Sequence, residues 1–289
     1  MELKWIADRE GRLSSFLRGE MKMSYSLMNK LKWGDAIQVN GVPQRTNYPV
    51  KSGDVITVQM EEEEPEYPVE EGKLDILYED AWILAVDKPA GMLIHPSRAK
   101  NDGTLANVVF GYYQKTGQKS AFHPLTRLDR DTFGIVLLAK NAHVHTLLQQ
   151  CNVRKTYHAL TFGWMKENEG MIDAPIARRP LPSLLRYVAE EGKPSVTRWT
   201  VLRREESICK LALEPVTGRT HQLRVHCAYM GYPILGDPQY GSTESLKCSG
   251  ELEIGSQMLC AKRLEFVHPM TDKKMILESK LDAQLGEKK

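Results

Sequence analysis

An acidic stretch in the first quarter of the chain constrains the fold more than any other feature, because it cannot enter a hydrophobic core. Met60–Glu71 reads MEEEEPEYPVEE and carries seven glutamates and no basic residue. Its two prolines interrupt regular structure, and its like charges favour an extended, solvated chain. We therefore predict a linker at residues 61–72 between a small unit at residues 1–60 and a larger one at residues 73–283. A solvated surface strand is an equally good interpretation.

The charge distribution indicates a polyanionic partner. The formal net charge is +2, and without the seven linker glutamates the remaining chain carries +9. A basic body of this kind is typical of nucleic-acid-binding proteins, although many unrelated proteins are as basic. No apolar run approaches the roughly 20 residues that span a bilayer. The first 20 residues also lack the apolar core of a signal peptide, so we expect no membrane segment and no leader.

The cysteines argue against a disulfide framework. They number five and none stands at a CxxC spacing, which also argues against a zinc ribbon: Cys151, Cys209, Cys227, Cys248 and Cys260. Reduced thiols are typical of the cytosol, so we expect a cytoplasmic protein.

Residues 1–60 have the pattern of a compact α+β unit. Asn40-Gly41 predicts a hairpin turn, and the β-branched run Val55–Val58 predicts a strand. Apolar residues recur at helical spacing in two places: Leu13, Phe16, Leu17, Leu27, Met28 and Leu31. Basic residues lie on or beside these two predicted helices: Arg12, Arg18, Lys22, Lys30 and Lys32.

The larger unit alternates short strands with helices. Strands are predicted at 74–78, 82–86, 134–139, 157–163, 197–203 and 207–214. Helices are predicted at 105–115, 143–151 and 220–231, and the last would be capped by Thr220 and ended by Gly231. The predicted fold class is α+β, with helices packed on a mixed, mainly antiparallel sheet.

The stretch His123–Asn141 carries the most informative charges. If Thr126–Asp129 is extended, Arg127 and Asp129 project to one face and can lie side by side. An arginine neighbour favours the ionised carboxylate, which before a buried strand could act as a nucleophile or a base. A structural Arg–Asp pair at a strand end is the alternative, and this stretch by itself favours that alternative.

Two later stretches suit an anionic, aromatic ligand. Lys155 and Tyr157 share one face of an extended strand, where a cation suits a phosphate and a phenol suits a base ring. The start of the predicted helix 220–231 carries polar and basic residues near free amides, which favours an anion: Arg219, Thr220, His221, Gln222 and Arg224. A tyrosine at a sheet edge and an ordinary amphipathic helix are the respective alternatives.

Four ordered motifs together resemble the RluA-type pseudouridine synthase family. KPAGMLIHP (88–96) is similar to its first motif, TRLDRDTFG (126–134) to its RLDxxT signature, RKTYHAL (154–160) to its tyrosine motif and GRTHQLRVHCAYMGYPILGDPQYG (218–241) to its third. The resemblance implies a pseudouridine synthase catalytic domain, joined to an N-terminal unit that resembles, more loosely, an S-four-like RNA-binding domain.

The resemblance also implies a role for each matched residue. Asp129 matches the catalytic aspartate, and Arg127 matches the arginine that helps to flip the target uridine. Tyr157 matches the tyrosine that packs on the flipped uracil, and Arg224 matches the basic residue that pairs with the aspartate. The residues then expected to bind substrate are Arg127, Lys155, Arg219, His221 and Gln222.

The sequence departs from the family pattern in two places. Thr126 and Phe133 replace residues around the RLD triplet, and we expect them to affect target choice rather than chemistry. Ser14 and Ser15 stand where related RNA-binding domains usually have Asp-Lys.

The predicted activity is isomerisation of uridine in RNA, most of all in large-subunit ribosomal RNA, with transfer RNA as the second choice. An isomerisation needs no redox cofactor or nucleotide, and we expect no metal and a monomer. Two other classes stay open at this point, a non-catalytic RNA-binding protein and a hydrolase that uses the Arg–Asp pair.

Overall fold

The computed structural model describes residues 2–60, 67–97 and 101–285. The part before residue 60 forms a four-stranded antiparallel sheet in the order β1-β6-β3-β4, and β2 pairs with β5 beside it. Its elements are β1 (Glu2–Ile6), β2 (Gly11–Arg12), α1 (Leu13–Gly19), α2 (Tyr25–Leu31), β3 (Ile37–Val39), β4 (Val42–Pro43), β5 (Pro49–Val50) and β6 (Val55–Gln59).

The apolar residues at helical spacing form the core of this small unit. Phe16 and Leu17 of α1 are fully buried and pack with Ile56 and Val58 of β6. The predicted hairpin turn is confirmed, because Asn40 and Gly41 have φ angles of 52° and 78° between β3 and β4. Two positive φ angles are the geometry that matches the twist of a tight hairpin.

The larger unit is built on one ten-stranded sheet. Its main path runs in the order β12-β15-β16-β11-β17-β10-β8-β7, and among the described strands only β10 and β17 pair in parallel. The ten strands of this sheet are β7 (Ile76–Glu79), β8 (Ile83–Lys88), β9 (His123–Pro124), β10 (Phe133–Ala139), β11 (Arg154–Phe162), β12 (Glu169–Asp173), β15 (Val196–Glu205), β16 (Ile208–Pro215), β17 (Leu259–Val267) and β18 (Lys274–Glu278). Two further strands, β13 (Ile176–Arg178) and β14 (Arg186–Val188), pair with each other in a separate sheet. The predicted α+β class with a mixed, mainly antiparallel sheet is confirmed.

Helices cover both faces of this sheet. They are α3 (Leu105–Lys115), α4 (Ala142–Gln150), α5 (Gln222–Tyr229), α6 (Thr243–Glu251) and a 3-10 helix, Leu281–Leu285. All seven residues of β10 are buried, because alternate side chains face two separate cores. Val136 packs with residues of α3, whereas Ile135 packs with residues of α4. No described helix is long and apolar enough to cross a membrane.

Gly134 allows β10 and β17 to lie unusually close together. Its φ angle is +107°, and a Cβ atom there would lie 2.5 Å from the carbonyl oxygen of Ala261. Only glycine tolerates both conditions. The start of β10, and with it the loop that precedes the strand, is therefore held tightly against β17.

The second half of the acidic segment lies against the larger unit. Its first half, residues 61–66, lies outside the described residues. Residues 67–72 run along α3, and most of them are exposed. The Glu70 carboxylate accepts the Gly103 amide at 2.9 Å, and the Asn107 side chain donates to the Pro68 carbonyl at 2.7 Å.

The two units also touch directly. The Lys22 ammonium lies 2.7 Å from the Asp272 carboxylate, and His143 Nε2 lies 3.0 Å from the Met21 carbonyl oxygen. These polar contacts join the loop between α1 and α2 to the β17–β18 turn and to α4.

Candidate active site

Asp129 lies in the loop between β9 and β10, four residues before the buried strand. The loop is anchored on both sides. Lys88 is fully buried, and its ammonium donates to the carbonyls of Pro89, Met92 and Arg130 at 2.9–3.0 Å. The buried Thr132 hydroxyl accepts a hydrogen bond from the side-chain amide of Gln257, which lies two residues before β17. These bonds hold Asp129 in place while 29% of its side chain stays exposed.

Arg224, in the first turn of α5, is the cation that pairs with Asp129. Its Nη1 donates to Asp129 Oδ2 at 2.9 Å, and its Nε and Nη2 donate to the two oxygens of Asp237 at 2.7 and 2.8 Å. Burial lowers the pKa of Arg224, but its bonds to Asp237 and Asp129 outweigh burial and raise it. The guanidinium is therefore charged and fixed by a two-pronged contact that a lysine could not make.

Asp129 uses only one of its oxygens in this network. Oδ2 accepts from Arg224, whereas Oδ1 accepts no hydrogen bond from any other described residue. A half-exposed carboxylate with one oxygen held and one open can receive a substrate.

The predicted pairing of Arg127 with Asp129 is wrong. Residues 125–132 form an irregular loop rather than a strand, so the alternation that would place both side chains on one face does not apply. Arg127 is exposed and makes no ion pair with Asp129 among the described residues. The arginine that holds the carboxylate comes instead from 95 residues further along the chain.

His221 also lies beside Asp129, and its backbone is strained. Helix α5 begins at Gln222, and His221 is its N-cap with φ +57° and no capping hydrogen bond, so the predicted cap at Thr220 is wrong. Left-handed φ angles are uncommon for residues other than glycine and concentrate at functional sites. Its Nε2 lies 3.8 Å from Asp129 Oδ2, and its Nδ1 lies 2.8 Å from the Tyr240 hydroxyl.

Burial sets the protonation of the two rings nearest Asp129. Burial, together with the charges of Arg224 and Arg186, lowers the pKa of His221 below its ordinary value of 6.5, although Asp129 acts in the opposite direction. Burial, with a smaller contribution from Asp129, raises the pKa of Tyr157 to about 12. At neutral pH the imidazole is therefore mainly neutral and the phenol is fully protonated.

The other predicted substrate-binding residues lie in different environments. Arg219 is exposed, and its Nε donates to the Pro194 carbonyl at 3.2 Å. Lys155 is partly buried on β11, and burial lowers its pKa. Gln222 is buried with its amide bonded to the protein: it accepts from Thr217 and from the Arg219 amide, and donates to Val196 and Thr197. The geometry places Gln222 behind the site rather than on its surface.

Asp237 and Tyr240 are site residues that the sequence analysis missed. Asp237 is buried and also accepts the amides of Gln239 and Tyr240. The Arg224 guanidinium lies over the Tyr240 ring, with its Cζ atom 4.9 Å from the ring centre. The Tyr240 hydroxyl accepts a hydrogen bond from the Arg186 backbone amide at 2.9 Å. The sequence signal was their place in the last third of the GRTHQ…QYG motif.

Two further histidines of the larger unit, His143 and His226, are bonded within the protein. His226 is buried with its two ring nitrogens within 3.0 Å of Thr197 and Ala174, and His143 contacts Met21. The described residues contain no group of three or more histidine, cysteine or acidic side chains that could hold a metal ion.

This fold and this carboxylate–arginine site define a class of RNA-modifying enzyme. The family model described as RNA pseudouridylate synthase matches residues 83–229, which hold Asp129, Tyr157 and Arg224, and the chain belongs to that family. It is an RNA pseudouridine synthase, an isomerase that acts on RNA. The RluA-type assignment is thereby confirmed, and neither a hydrolase nor a non-catalytic RNA-binding protein is favoured.

Individual relatives agree with this assignment. The chain is 37% identical to the uncharacterized RNA pseudouridine synthase YjbO of Bacillus subtilis, over 93% of this chain and 95% of that protein. It is also 37% identical to the ribosomal large subunit pseudouridine synthase D of Pseudomonas aeruginosa, over 72% of this chain and 68% of that one. Among solved structures, human RNA pseudouridylate synthase domain containing 1 matches with a TM-score of 0.60 and 28% identity, over 73% of this chain and 85% of that one.

Proposed function

We propose that Asp129 is the catalytic carboxylate of the uridine isomerisation. The observation that carries the proposal is its open oxygen Oδ1, beside an oxygen held by Arg224. The reaction breaks the bond between uracil nitrogen 1 and the sugar and rejoins the base through carbon 5. Asp129 either attacks the anomeric carbon or removes the neighbouring sugar proton, and in both routes the carboxylate reacts beside the charged Arg224 guanidinium.

Tyr157 and Arg127 have separate parts in this proposal. Tyr157 carries no charge near neutral pH and packs between two apolar clusters, so it offers a flat ring to an extruded uracil. Arg127, exposed in the Asp129 loop, helps to extrude the base, whose unstacking costs a few kcal/mol. Lys155 and Arg219 contribute positive charge for the RNA backbone, while Gln222 supports the start of α5 from behind.

The proposed target is a uridine in large-subunit ribosomal RNA, with transfer RNA as the second choice. Several relatives that are 35–37% identical are named ribosomal large subunit pseudouridine synthase D, which supports the first choice. We expect the enzyme to act as a monomer in the cytoplasm.

Mapping pseudouridines in ribosomal and transfer RNA from a strain that lacks the gene tests this proposal. One or more sites should disappear and return when the gene is restored. The purified enzyme should modify the same sites in transcripts, and unchanged maps with an inactive purified enzyme would refute the proposed function.

We also propose that the N-terminal unit binds RNA through a patch around Trp33. The Trp33 side chain is 72% exposed, with the Arg45 guanidinium 4.6 Å and the Lys32 ammonium 5.0 Å from its ring. Cations against an exposed indole provide phosphate contacts and a stacking surface at one place.

Trp33→Ala tests this patch. It should weaken RNA binding by roughly five- to 150-fold, since one stacked base contributes about 1–3 kcal/mol by alanine substitution. The exposed Trp164, on the catalytic unit, provides the matched control. Equal binding by Trp33→Ala and Trp164→Ala would exclude the patch as an RNA contact.

A further inference from the structure

We propose that His221 is the base that takes the proton from carbon 5 of the uracil after the base has been rejoined to the sugar. This inference rests on the proposed function, in which Asp129 is the catalytic carboxylate. It gives His221 a proton-transfer role in addition to the substrate contact predicted from the sequence.

The reaction requires such a base. When carbon 5 bonds to the anomeric carbon, it carries both the sugar and its original hydrogen, and the ring has a nitrogen 1–carbon 6 double bond. Removal of the carbon 5 proton restores the carbon 5–carbon 6 double bond and sends the displaced electron pair to nitrogen 1. Nitrogen 1 then takes up a proton, from the imidazolium or from water, so atoms and charge balance.

The groups around Asp129 differ in their ability to accept this proton at neutral pH. Tyr157, with a pKa of about 12, is ionised in only about one molecule in 10⁵. The pKa of Arg224 is raised by its carboxylate partners, so it stays protonated. Lys88 has a pKa lowered to about 8, mainly by burial, but its ammonium is bound to three carbonyls. His221 is the neighbour that is mainly unprotonated and within reach.

The hydrogen bonds of His221 aim one ring nitrogen into the site. In the tautomer that the proposal requires, Nδ1–H donates to the Tyr240 oxygen at 2.8 Å. That oxygen accepts the Arg186 amide with its other lone pair. Nε2 then carries a lone pair 3.8 Å from Asp129 Oδ2, next to the place where the carboxylate meets the sugar.

The surrounding charges suit a base that is neutral before the transfer and charged after it. Arg224 on α5 and Arg186 on β14 disfavour the imidazolium, whereas Asp129 and Asp237 favour it. Because Asp129 is the nearer anion, an imidazolium formed beside it is stabilised until the proton passes on. Tyr240 is a positioning residue in this arrangement, since it acts only through His221.

His221→Gly with added imidazole is the sharpest test. Glycine adopts the φ of +57° without strain, so the start of α5 is kept while the ring is lost. We expect kcat to fall by about 10²-fold or more, the usual contribution of a general base. Added imidazole should restore part of the lost kcat of His221→Gly. It should not raise the kcat of Asp129→Asn, which serves as the matched control.

The pH profile and an isotope effect give a second, independent readout. Wild-type kcat should fall as the pH drops through the His221 pKa, because only the neutral ring accepts a proton. His221→Asn should lose this acidic limb and show a larger deuterium isotope effect with RNA that contains 5-deuterated uridine. Tyr240→Phe should lower kcat by roughly tenfold, while keeping the limb.

The results separate this inference from the function on which it rests. A His221→Gly enzyme with near wild-type kcat, or one changed only in KM, would overturn the role of His221 and leave Asp129 in place. Should His221→Gly fail to fold, an unchanged kcat in Tyr240→Phe together with no acidic limb in the wild type would overturn it. Turnover by Asp129→Asn would instead overturn the proposed function itself.

Discussion

Two carboxylates, Asp129 and Asp282, each lie beside one histidine and one basic side chain, yet the two clusters are built differently. Each contacts one histidine and one basic side chain: His221 and Arg224 at Asp129, and His158 and Lys210 at Asp282. The clusters lie on opposite faces of β11, since Tyr157 near Asp129 and His158 are successive residues of that strand.

The difference lies in how the carboxylate oxygens are used. In Asp282, Oδ1 is 2.8 Å from His158 Nδ1 and Oδ2 is 3.2 Å from Lys210 Nζ, so both oxygens are engaged. In Asp129, Oδ2 is held by Arg224 and Oδ1 accepts no hydrogen bond from the described residues. Asp282 therefore cross-links β11 and β16 to the 3-10 helix, whereas Asp129 keeps one oxygen without a partner among the described residues.

The two histidines also differ in backbone conformation, which is regular at His158 and strained at His221. His158 lies in the regular strand β11, whereas His221 is held at a left-handed φ at the start of α5. Strained residues persist where the surrounding contacts hold them, and they concentrate at functional sites. Here one such contact is the hydrogen bond between His221 Nδ1 and the Tyr240 hydroxyl.

Replacing each aspartate by asparagine is the strongest test of this comparison. Asp129→Asn should lower turnover by at least about 10³-fold, because the amide can neither attack nor accept a proton. RNA binding should be largely kept. Asp282→Asn should leave turnover within about twofold of wild type. Pseudouridine formation on ribosomal RNA transcripts measures both, and equal losses would contradict the distinction between the clusters.

Replacing the basic residue of each cluster, Arg224 or Lys210, should affect both the free energy of unfolding and turnover more strongly at Arg224. Arg224→Met leaves the buried Asp237 without its partner, so we expect a loss of about 3–5 kcal/mol in the free energy of unfolding. Turnover should fall by roughly 10²-fold or more, as for other lost electrostatic contacts to a reacting group. Lys210→Met is the matched control. A folded Arg224→Met protein with wild-type kcat would show that Asp129 does not depend on Arg224.

Asp282→Ala should affect stability alone. It removes the acceptor of two charged hydrogen bonds and loosens the 3-10 helix, whose Leu285 is buried. We expect a loss of about 2 kcal/mol in the free energy of unfolding, with unchanged kcat. Urea unfolding and turnover assays check the two parts separately, and a large drop in kcat would mean that the 3-10 helix influences the site through β11.

The smallest expected effect is a difference between wild type and Asp282→Asn in how their stability depends on pH in the acidic range. Burial raises the pKa of Asp282, but its bonds to His158 and Lys210 outweigh burial and lower it. A lowered folded-state pKa contributes stability above the unfolded value of about 4, and this contribution is lost as the pH falls towards the folded value.

The difference in unfolding free energy between wild type and Asp282→Asn should therefore shrink as the pH is lowered below about 5. Urea unfolding at a series of pH values measures it. Other low-pKa carboxylates such as Asp80 are common to both proteins and cancel in the difference. A difference in unfolding free energy that stays constant with pH would mean that the charge of Asp282 does not contribute to stability.

Local patterns predicted those parts of the fold that depend on neighbours along the chain. The predicted helix 105–115 coincides with α3, because Thr104 caps it and its apolar face packs against the sheet. The apolar run 134–139 lies within β10. Both depend on side-chain periodicity and capping, which a short window of sequence displays.

By itself the sequence determined the residue types of the site, their order and the family, because the four motifs are continuous segments. Only the tertiary structure decided which charges meet. Arg127 is a near neighbour of Asp129 in the chain, yet Arg224 holds the carboxylate, and Asp237 and Tyr240 set the geometry of Arg224 and His221. The physical reason is that charges interact through space, over a few ångströms, and folding rather than sequence separation sets those distances.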